Sequence, residues 1–540
     1  MTTYDVIIVG SGFGGAVAAA RLGEFSKPMK RRVLVLERGR DHTGSFDPAS
    51  AGGPLNAQGN RFRQSLAPAY SAEIARVFTD KEGVFKRGAS SLDVAIGQGI
   101  GGGSNAYDGV SLRAPSVAFD QLRDGERLWP AAYSRASLDP YYERVEQKLR
   151  VAQVAWTSAN APHWKLATKR DWVFAEGCRR IGAASAPLKL ADANDANEGW
   201  WNQGQRFEGR QSLTKNYLLD AKNAGVEFLS GHEVTRIERT KTGWAVSGTD
   251  SRTGAPIDVS FECKLLVIAS GAVASSALLL SARDTLAPLA DNDHLGARLS
   301  GNGDYGVTGI IGKDFERPVE GFKGKPMSSF CPTFWNEHRF ILIPFYAAPL
   351  YLALGKPATL LRASSTRFRR GDVAPAENER PYGAAFKERL LSFGSRMLTM
   401  GCLALDDCEG EVAVTKRGTE VRWRETSAAT HARWSAAFDV MRRIYESLGG
   451  EIFLDAYRKD GTVSTAHPLG GCRMATNASR GVVSEVGEVF GLENLFVIDG
   501  AIIPSALGVN PSLTIAAVAE RICDALIAGQ GTPSLSARLA

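Results

Sequence analysis

Apolar residues in this chain gather in short unbroken runs more than in alternating stripes. Tyr4–Val9 (YDVIIV) is the first, and Val33–Leu36 is a second. A third opens Lys264–Leu280 (KLLVIASGAVASSALLL), and a fourth lies in Leu492–Pro504 (LENLFVIDGAIIP). Runs of this kind fit strands buried on both faces of a sheet. After the first run the chain turns Ala-rich from Ala16, and after the third it becomes a stretch of small residues beyond Gly271. Both stretches predict helices. The fourth strand ends in Asp499–Gly500.

Between the first strand and its helix stand Gly10, Gly12 and Gly15, a G-x-G-x-x-G pattern in the context its mechanism requires. Gly10 allows the tight turn, Gly12 admits a pyrophosphate to the backbone, and Gly15 lets helix and strand approach. The helix N-terminus then stabilises the phosphate charge. Glu37 ends the second strand, where its carboxylate suits a ribose and repels a 2′-phosphate, so FAD or NAD is favoured over NADP. The sequence therefore predicts an α/β fold with a discontinuous Rossmann-like domain from residues 1–115, 220–305 and 460–540. Residues 116–219 and 306–459 are expected to form an α+β substrate-binding domain containing a β-sheet.

Three further stretches carry candidate chemistry. Gly97–Gly109 (GQGIGGGSNAYDG) packs three successive glycines between apolar positions, which favours close backbone approach to a flat ring over a linker. In Gly508–Ile527 (GVNPSLTIAAVAERICDALI), Asn510 reads as an N-cap and Pro511 as the first helical residue. The positive end of that helix would stabilise an anionic ring. His467–Cys472 (HPLGGC) holds one of only seven histidines. Pro468 pushes His467 toward an extended conformation, and the two glycines after Leu469 allow close approach. By itself such a histidine reads equally well as a core or turn residue.

Composition narrows the classes. The chain has 540 residues, 44% hydrophobic, enough for two or more domains. Lys and Arg number 64 against 58 acidic residues, a surplus of only +6, so nucleic acid is not expected as a partner. The clusters Lys30–Arg32 and Arg367–Arg370 read as solvated surface. Seven cysteines with no CxxC pair read as reduced thiols, with no metal site. No signal peptide is visible before Tyr4, so a cytoplasmic location is expected. Ile341–Leu354 (ILIPFYAAPLYLAL) is too short, and too broken by Pro344 and Pro349, to span a bilayer. It is expected to be buried or to border a cavity, with at most peripheral membrane contact.

Taken together, VGSGFGG, VLERG, GQGIGGGS, QSLTKNYL (Gln211–Leu218), LLVIASGA, LGARLSGNGD (Leu295–Asp304), HPLGGC and VIDGAIIPSALGVNPSLTIAA resemble the glucose–methanol–choline (GMC) flavoprotein oxidoreductases, most closely the bacterial cholesterol oxidase branch. The resemblance implies FAD-dependent oxidation of an alcohol to the carbonyl by hydride transfer to flavin N5, with oxygen or another electron acceptor. It implies catalytic roles for His467 and Asn510 around the substrate hydroxyl. It also implies FAD contacts at Gly10, Gly12, Gly15, Glu37, Gly101 and Gly102. Further FAD contacts are implied at Ser104, Tyr107, Val234, Gly271, Asp499, Gly500 and Pro511.

Departures from the family pattern are informative. Asn105 is expected to bring a polar group near the ring. No histidine lies in or beside this stretch, so the FAD is expected to be non-covalent. Ser512 stands where cholesterol oxidases often carry Phe, and residues 305–460 match the sterol enzymes poorly. Glu377, Glu379, Glu409 and Glu411 are candidates for an active-site glutamate. The aromatic residues Phe334, Trp335, Phe340, Phe345, Tyr346 and Tyr351 favour a bulky hydrophobic or sterol-like alcohol, and read equally as core. The alternatives are a glycoside or aryl-alcohol oxidoreductase, a hydroxynitrile lyase-like or fatty-acid photodecarboxylase-like enzyme, and a non-catalytic flavin-binding module.

Overall fold

In the computed structural model, the described residues are 2–41, 43–47, 75–78, 91–154, 168–192, 209–250, 257–315, 318–321, 324–325, 327–345, 384, 395–423, 426–454 and 462–540. The first apolar run forms strand β1 (Thr2–Val9), followed by helix α1 (Phe13–Ser26) and strand β2 (Val33–Glu37). The third run forms β3 (Ile257–Ile268) and helix α2 (Ala272–Ser281), and the fourth forms the short strand β4 (Leu495–Val497). β2, β1, β3 and β4 are neighbours and all parallel, with strand Glu227–Ser230 added beside β2. The first half of β3 also carries an antiparallel pair, Trp244–Asp250 and His232–Arg239. One sheet thus draws on three distant parts of the chain.

Burial explains the unbroken runs. Val6, Ile7, Ile8, Val33–Leu36, Leu265–Ile268 and Leu495–Val497 are all buried, so successive residues, which point to opposite faces of the sheet, are both out of water. Each such side chain contributes about 1.5–3 kcal/mol by leaving water. Helix α3 (Ser512–Ala528) lies against α1.

A second core surrounds an antiparallel sheet of strands Phe340–Phe345, Met397–Ala404, Tyr305–Ile310 and Glu451–Leu454. The 20-residue helix Ala428–Ser447 covers it. Pro344 is tolerated because its strand is the edge of this sheet; among the described residues its outer side is bridged at Leu342, which exchanges backbone hydrogen bonds with Cys331 (2.8 and 3.1 Å), and not at Pro344. The predicted run Ile341–Leu354 is therefore sheet as far as Phe345, and residues 346–354 lie outside the described residues. Strand Tyr305–Ile310 begins immediately after the turn Ser300–Asp304, which carries the join between the two cores into the site described next. All seven cysteines are buried free thiols. No helix among the described residues is long and apolar enough to cross a membrane.

Candidate active site

A cavity of about 670 Å³ opens where β1, β2, β3 and β4 end. Gly10, Gly12, Glu37, Gly102 and Tyr107 line one part of it; Val234, Gly271, Asp499 and Gly500 line another. His467, Asn510 and Pro511 complete the wall. Gly15, Gly101 and Ser104 lie behind it. Gly15 sits where helix meets strand, and a Cβ there would stand 2.1 Å from the Gly10 carbonyl oxygen. The Ser104 hydroxyl donates to the Gly101 carbonyl (2.7 Å) and accepts from Leu213 N–H (3.0 Å), so it fastens the glycine turn to the next segment.

Gly12 differs from Gly15. It immediately precedes α1, with φ −70° and ψ −167°, a conformation open to any residue, and no side chain caps the helix. A Cβ built on it meets no atom of the described residues within 4 Å. Neither backbone nor packing requires glycine here, while the free helix N-terminus faces the cavity.

Glu37 is nearly fully buried and accepts from Ser11 N–H (3.1 Å), Ser11 Oγ–H (2.7 Å), Gly39 N–H (2.9 Å) and Gly99 N–H (3.3 Å). Ser11 Oγ also accepts from Gly101 N–H (3.0 Å), so one hydroxyl joins the first glycine turn, the end of β2 and the glycine cluster. Asp499 accepts from Gly271 N–H (2.7 Å) and Ser275 Oγ–H (2.6 Å), fastening the end of β4 to the start of α2; burial raises its pKa. At Val234 the ladder with Trp244–Asp250 slips by one residue, a bulge of the kind that re-aims backbone beside sites.

At the other end, HPLGGC is clamped on both sides. Ser300 and Leu469 exchange backbone hydrogen bonds (2.8 and 3.1 Å), and Gly470 N–H and Cys472 N–H donate to the Gly500 and Ala501 carbonyls (both 2.9 Å). His467 Nδ1 then lies 2.7 and 3.0 Å from the two carboxylate oxygens of Asp304. Its Nε2 lies 3.0 Å from the side-chain nitrogen of Asn510. Burial disfavours the imidazolium, but the Asp304 charge and hydrogen bond outweigh it, with Asp108 adding in the same direction. The pKa of His467 lies above its ordinary value.

Asn510 is not the cap read from the sequence. α3 starts at Ser512, Pro511 precedes it in helical conformation, and no side chain caps it. The Asn510 amide is turned to His467, and its Oδ1 is buried without a hydrogen-bond partner among the described residues. Its loop is held by Asn302, whose Oδ1 accepts from Leu507 N–H (2.9 Å) and Gly508 N–H (3.1 Å) and whose Nδ2 donates to the Val509 carbonyl (2.8 Å).

Other expectations change too. Asn105 presents no polar group to the cavity, because its amide donates to the Ile100 carbonyl (3.0 Å) inside the turn. Tyr107 faces the cavity with its hydroxyl donating to the Gln211 carbonyl (2.6 Å). Glu409 and Glu411 are outside the cavity wall, bonded to Ser427 N–H and Arg422. Glu377, Glu379, Tyr346, Tyr351 and Arg367–Arg370 lie outside the described residues. Of the aromatic residues, Phe345 lines the cavity, while Phe340 is core and stacks on Phe334 at 5.7 Å. Ser11, Asn302, Asp304 and His232 were not read as site residues; His232 lines the cavity beside Val234.

Family models described as GMC oxidoreductase match residues 4–300 and 415–519. The chain is a GMC oxidoreductase. It is 26% identical to a cholesterol oxidase of Mycobacterium tuberculosis over 96% of this chain and 90% of that one. It is 25% identical to a long-chain-alcohol oxidase of Arabidopsis thaliana over 97% of this chain and 67% of that one. Its fold is that of the solved pyridoxine 4-oxidase from Mesorbium loti, with TM-score 0.63 at 17% identity over 96% and 98% of the two chains.

The cofactor of this GMC oxidoreductase is FAD, and the site suits it. The open space before Gly12 and the uncapped start of α1 suit a pyrophosphate, and the orphaned Asn510 Oδ1 calls for a donor that the described residues do not supply.

Proposed function

We propose that this enzyme oxidises a bulky hydrophobic alcohol to the carbonyl, with His467 as general base and Asn510 as the group that orients the hydroxyl. The observation that carries the reading is the 3.0 Å contact between His467 Nε2 and the Asn510 amide at the cavity wall. A hydroxyl oxygen that displaces the amide from Nε2 and sits beside both groups accepts from Asn510 Nδ2–H while its proton passes to Nε2. The bound flavin supplies the acceptor for the carbinol hydrogen and its electron pair. A positioned base of this kind contributes about 10²–10⁴ in rate.

In this reading residues 1–115, 220–305 and 460–540 hold the flavin, non-covalently, and 116–219 and 306–459 cover the substrate. Gly10, Gly12 and Glu37 serve the nucleotide end, with Val234, Asp499 and Gly500 along the cofactor. Gly102, Tyr107, Gly271 and Pro511 close around it, and Gly15, Gly101 and Ser104 support the wall from behind. Ile96, Met327 and Phe345 give the cavity an apolar side, which agrees with relatives named for cholesterol and long-chain alcohols. Those names also support oxygen as the electron acceptor.

Anaerobic mixing of the yellow enzyme with sterols, long-chain alcohols, aryl alcohols and glycosides tests this, followed by admission of air. Bleaching by sterols or long-chain alcohols and recovery in air are expected. Faster bleaching by glycosides or aryl alcohols would overturn the substrate class, and bleaching by no alcohol would overturn the reaction.

A further inference from the structure

His467 has two nitrogens, and only the one facing the hydroxyl must be free of a proton for the imidazole to act as a base. We propose that Asp304 is a positioning residue that fixes the proton of neutral His467 on Nδ1 and leaves the Nε2 lone pair for the substrate hydroxyl. The inference rests on the reading of His467 as the base.

Both Asp304 oxygens lie within hydrogen-bond distance of Nδ1, at 2.7 and 3.0 Å, and a carboxylate only accepts. Nδ1 must therefore donate. Asn510 then presents its N–H, not its oxygen, to Nε2, which leaves Oδ1 as the buried orphan. The tautomer and the amide orientation are one network.

The carboxylate is itself held. The Thr465 hydroxyl lies 2.8 Å from its Oδ2 and also accepts from His467 N–H (2.8 Å). Buried Asp406 ties the turn below it, accepting from Ser300 Oγ–H (2.7 Å) and Gly303 N–H (2.8 Å). Asn302 in the same turn holds the backbone before Asn510. Five residues, Ser300–Asp304, thus fix both neighbours of the imidazole.

The proton step balances at His467. The substrate O–H bond breaks and an N–H bond forms at Nε2, while the C–H electron pair leaves toward the flavin. Asp304 takes no proton; its charge stabilises the imidazolium that forms. Among the described residues, the charged groups that act on His467 are Asp304 from the turn and Asp108 from the glycine loop, which itself faces Arg210. Removing the Asp304 charge leaves burial opposed, among the described residues, by Asp108, so the pKa of His467 falls.

The test compares wild type, Asp304→Asn and Asp304→Glu as holoenzymes. Asn retains an acceptor for Nδ1–H without the charge; Glu retains the charge. Long-range 1H–15N spectra of histidine-labelled enzyme, with His467 assigned by its loss in His467→Ala, report tautomer and pKa directly. The Nδ1–H form is expected in wild type. The pKa is expected to fall by a unit or more in Asp304→Asn and to recover in Asp304→Glu. Anaerobic flavin reduction by the best alcohol should slow at least tenfold in Asp304→Asn, with its acid limb moved to lower pH and KM within twofold of wild type. An Nε2–H tautomer in wild type, or an Asp304→Asn enzyme with unmoved pKa and acid limb, would overturn the inference. Absence of flavin reduction in wild type would instead overturn the proposed reaction, and the spectra would still decide the role of Asp304.

Discussion

Replacing Gly12 by alanine separates the cofactor from the fold. Its φ of −70° and ψ of −167° suit alanine, and the new methyl group meets no atom of the described residues within 4 Å. Apoprotein stability should stay within about 0.5 kcal/mol of wild type. Gly15→Ala is the control, because its methyl group would stand 2.1 Å from the Gly10 carbonyl oxygen. Forced overlap there costs about 1–3 kcal/mol of fold stability. With FAD the consequences separate. The Gly12 methyl group occupies the space in front of the α1 N-terminus, where the pyrophosphate is expected. A crowded contact of about 1–3 kcal/mol corresponds to a rise of about five- to 150-fold in the Kd for FAD. Flavin fluorescence quenching gives the Kd, and thermal unfolding with and without added FAD gives the stability. Wild-type FAD affinity in Gly12→Ala would refute the phosphate placement. Apoprotein destabilised as much as Gly15→Ala would refute the claim that the space is free of protein.

Asn510→Ala should slow anaerobic flavin reduction while leaving the unfolding midpoint of the FAD-bound enzyme unchanged, since the amide caps nothing; a loss of about 1 kcal/mol, the usual cost of a missing cap, would restore the capping role. Acid precipitation should release intact FAD into the supernatant, and colour remaining in the pellet would show a covalent flavin. The Asp406 carboxyl is pushed up to about 6 by burial, with Glu409 adding. Folded protein therefore binds its proton where the unfolded chain has lost it, so this stabilisation is full below pH 3.8 and is lost as pH rises through about 6. Relative to Asp406→Asn, wild type should lose up to about 1.4 kcal/mol per pH unit over that window. Urea unfolding at several pH values reads this difference, and a constant difference would contradict it.

The parallel sheet was legible because buried parallel strands read as near-continuous apolar runs, and Val6–Val9, Val33–Leu36, Leu265–Ile268 and Leu495–Val497 are such runs. HPLGGC was legible as a rigid frame for one histidine. What the frame holds the histidine against was not. Asp304 is 163 residues away in sequence, and only the pairing of Ser300 with Leu469 brings its turn beside the imidazole. The sole signal for it was the stretch LGARLSGNGD, whose aspartate carries no local pattern. Ser11 was hidden in the same way, as a small residue inside a glycine motif whose hydroxyl joins three distant segments. Asn510 was misread by one residue of helix boundary, the least reliable feature of any local pattern. Its preference for caps was real, but a histidine at 3.0 Å competed for the same amide.

The central claim is that His467 acts on the substrate hydroxyl during flavin reduction. Stopped-flow reduction under anaerobic conditions, with the best alcohol of the panel, compares wild type and His467→Ala at matched FAD content. In His467→Ala, flavin reduction is expected to be slowed by about 10²–10⁴-fold with FAD still bound. Reduction of the His467→Ala flavin at the wild-type rate would contradict it and leave His467 as a histidine held by Asp304 for the sake of the fold alone.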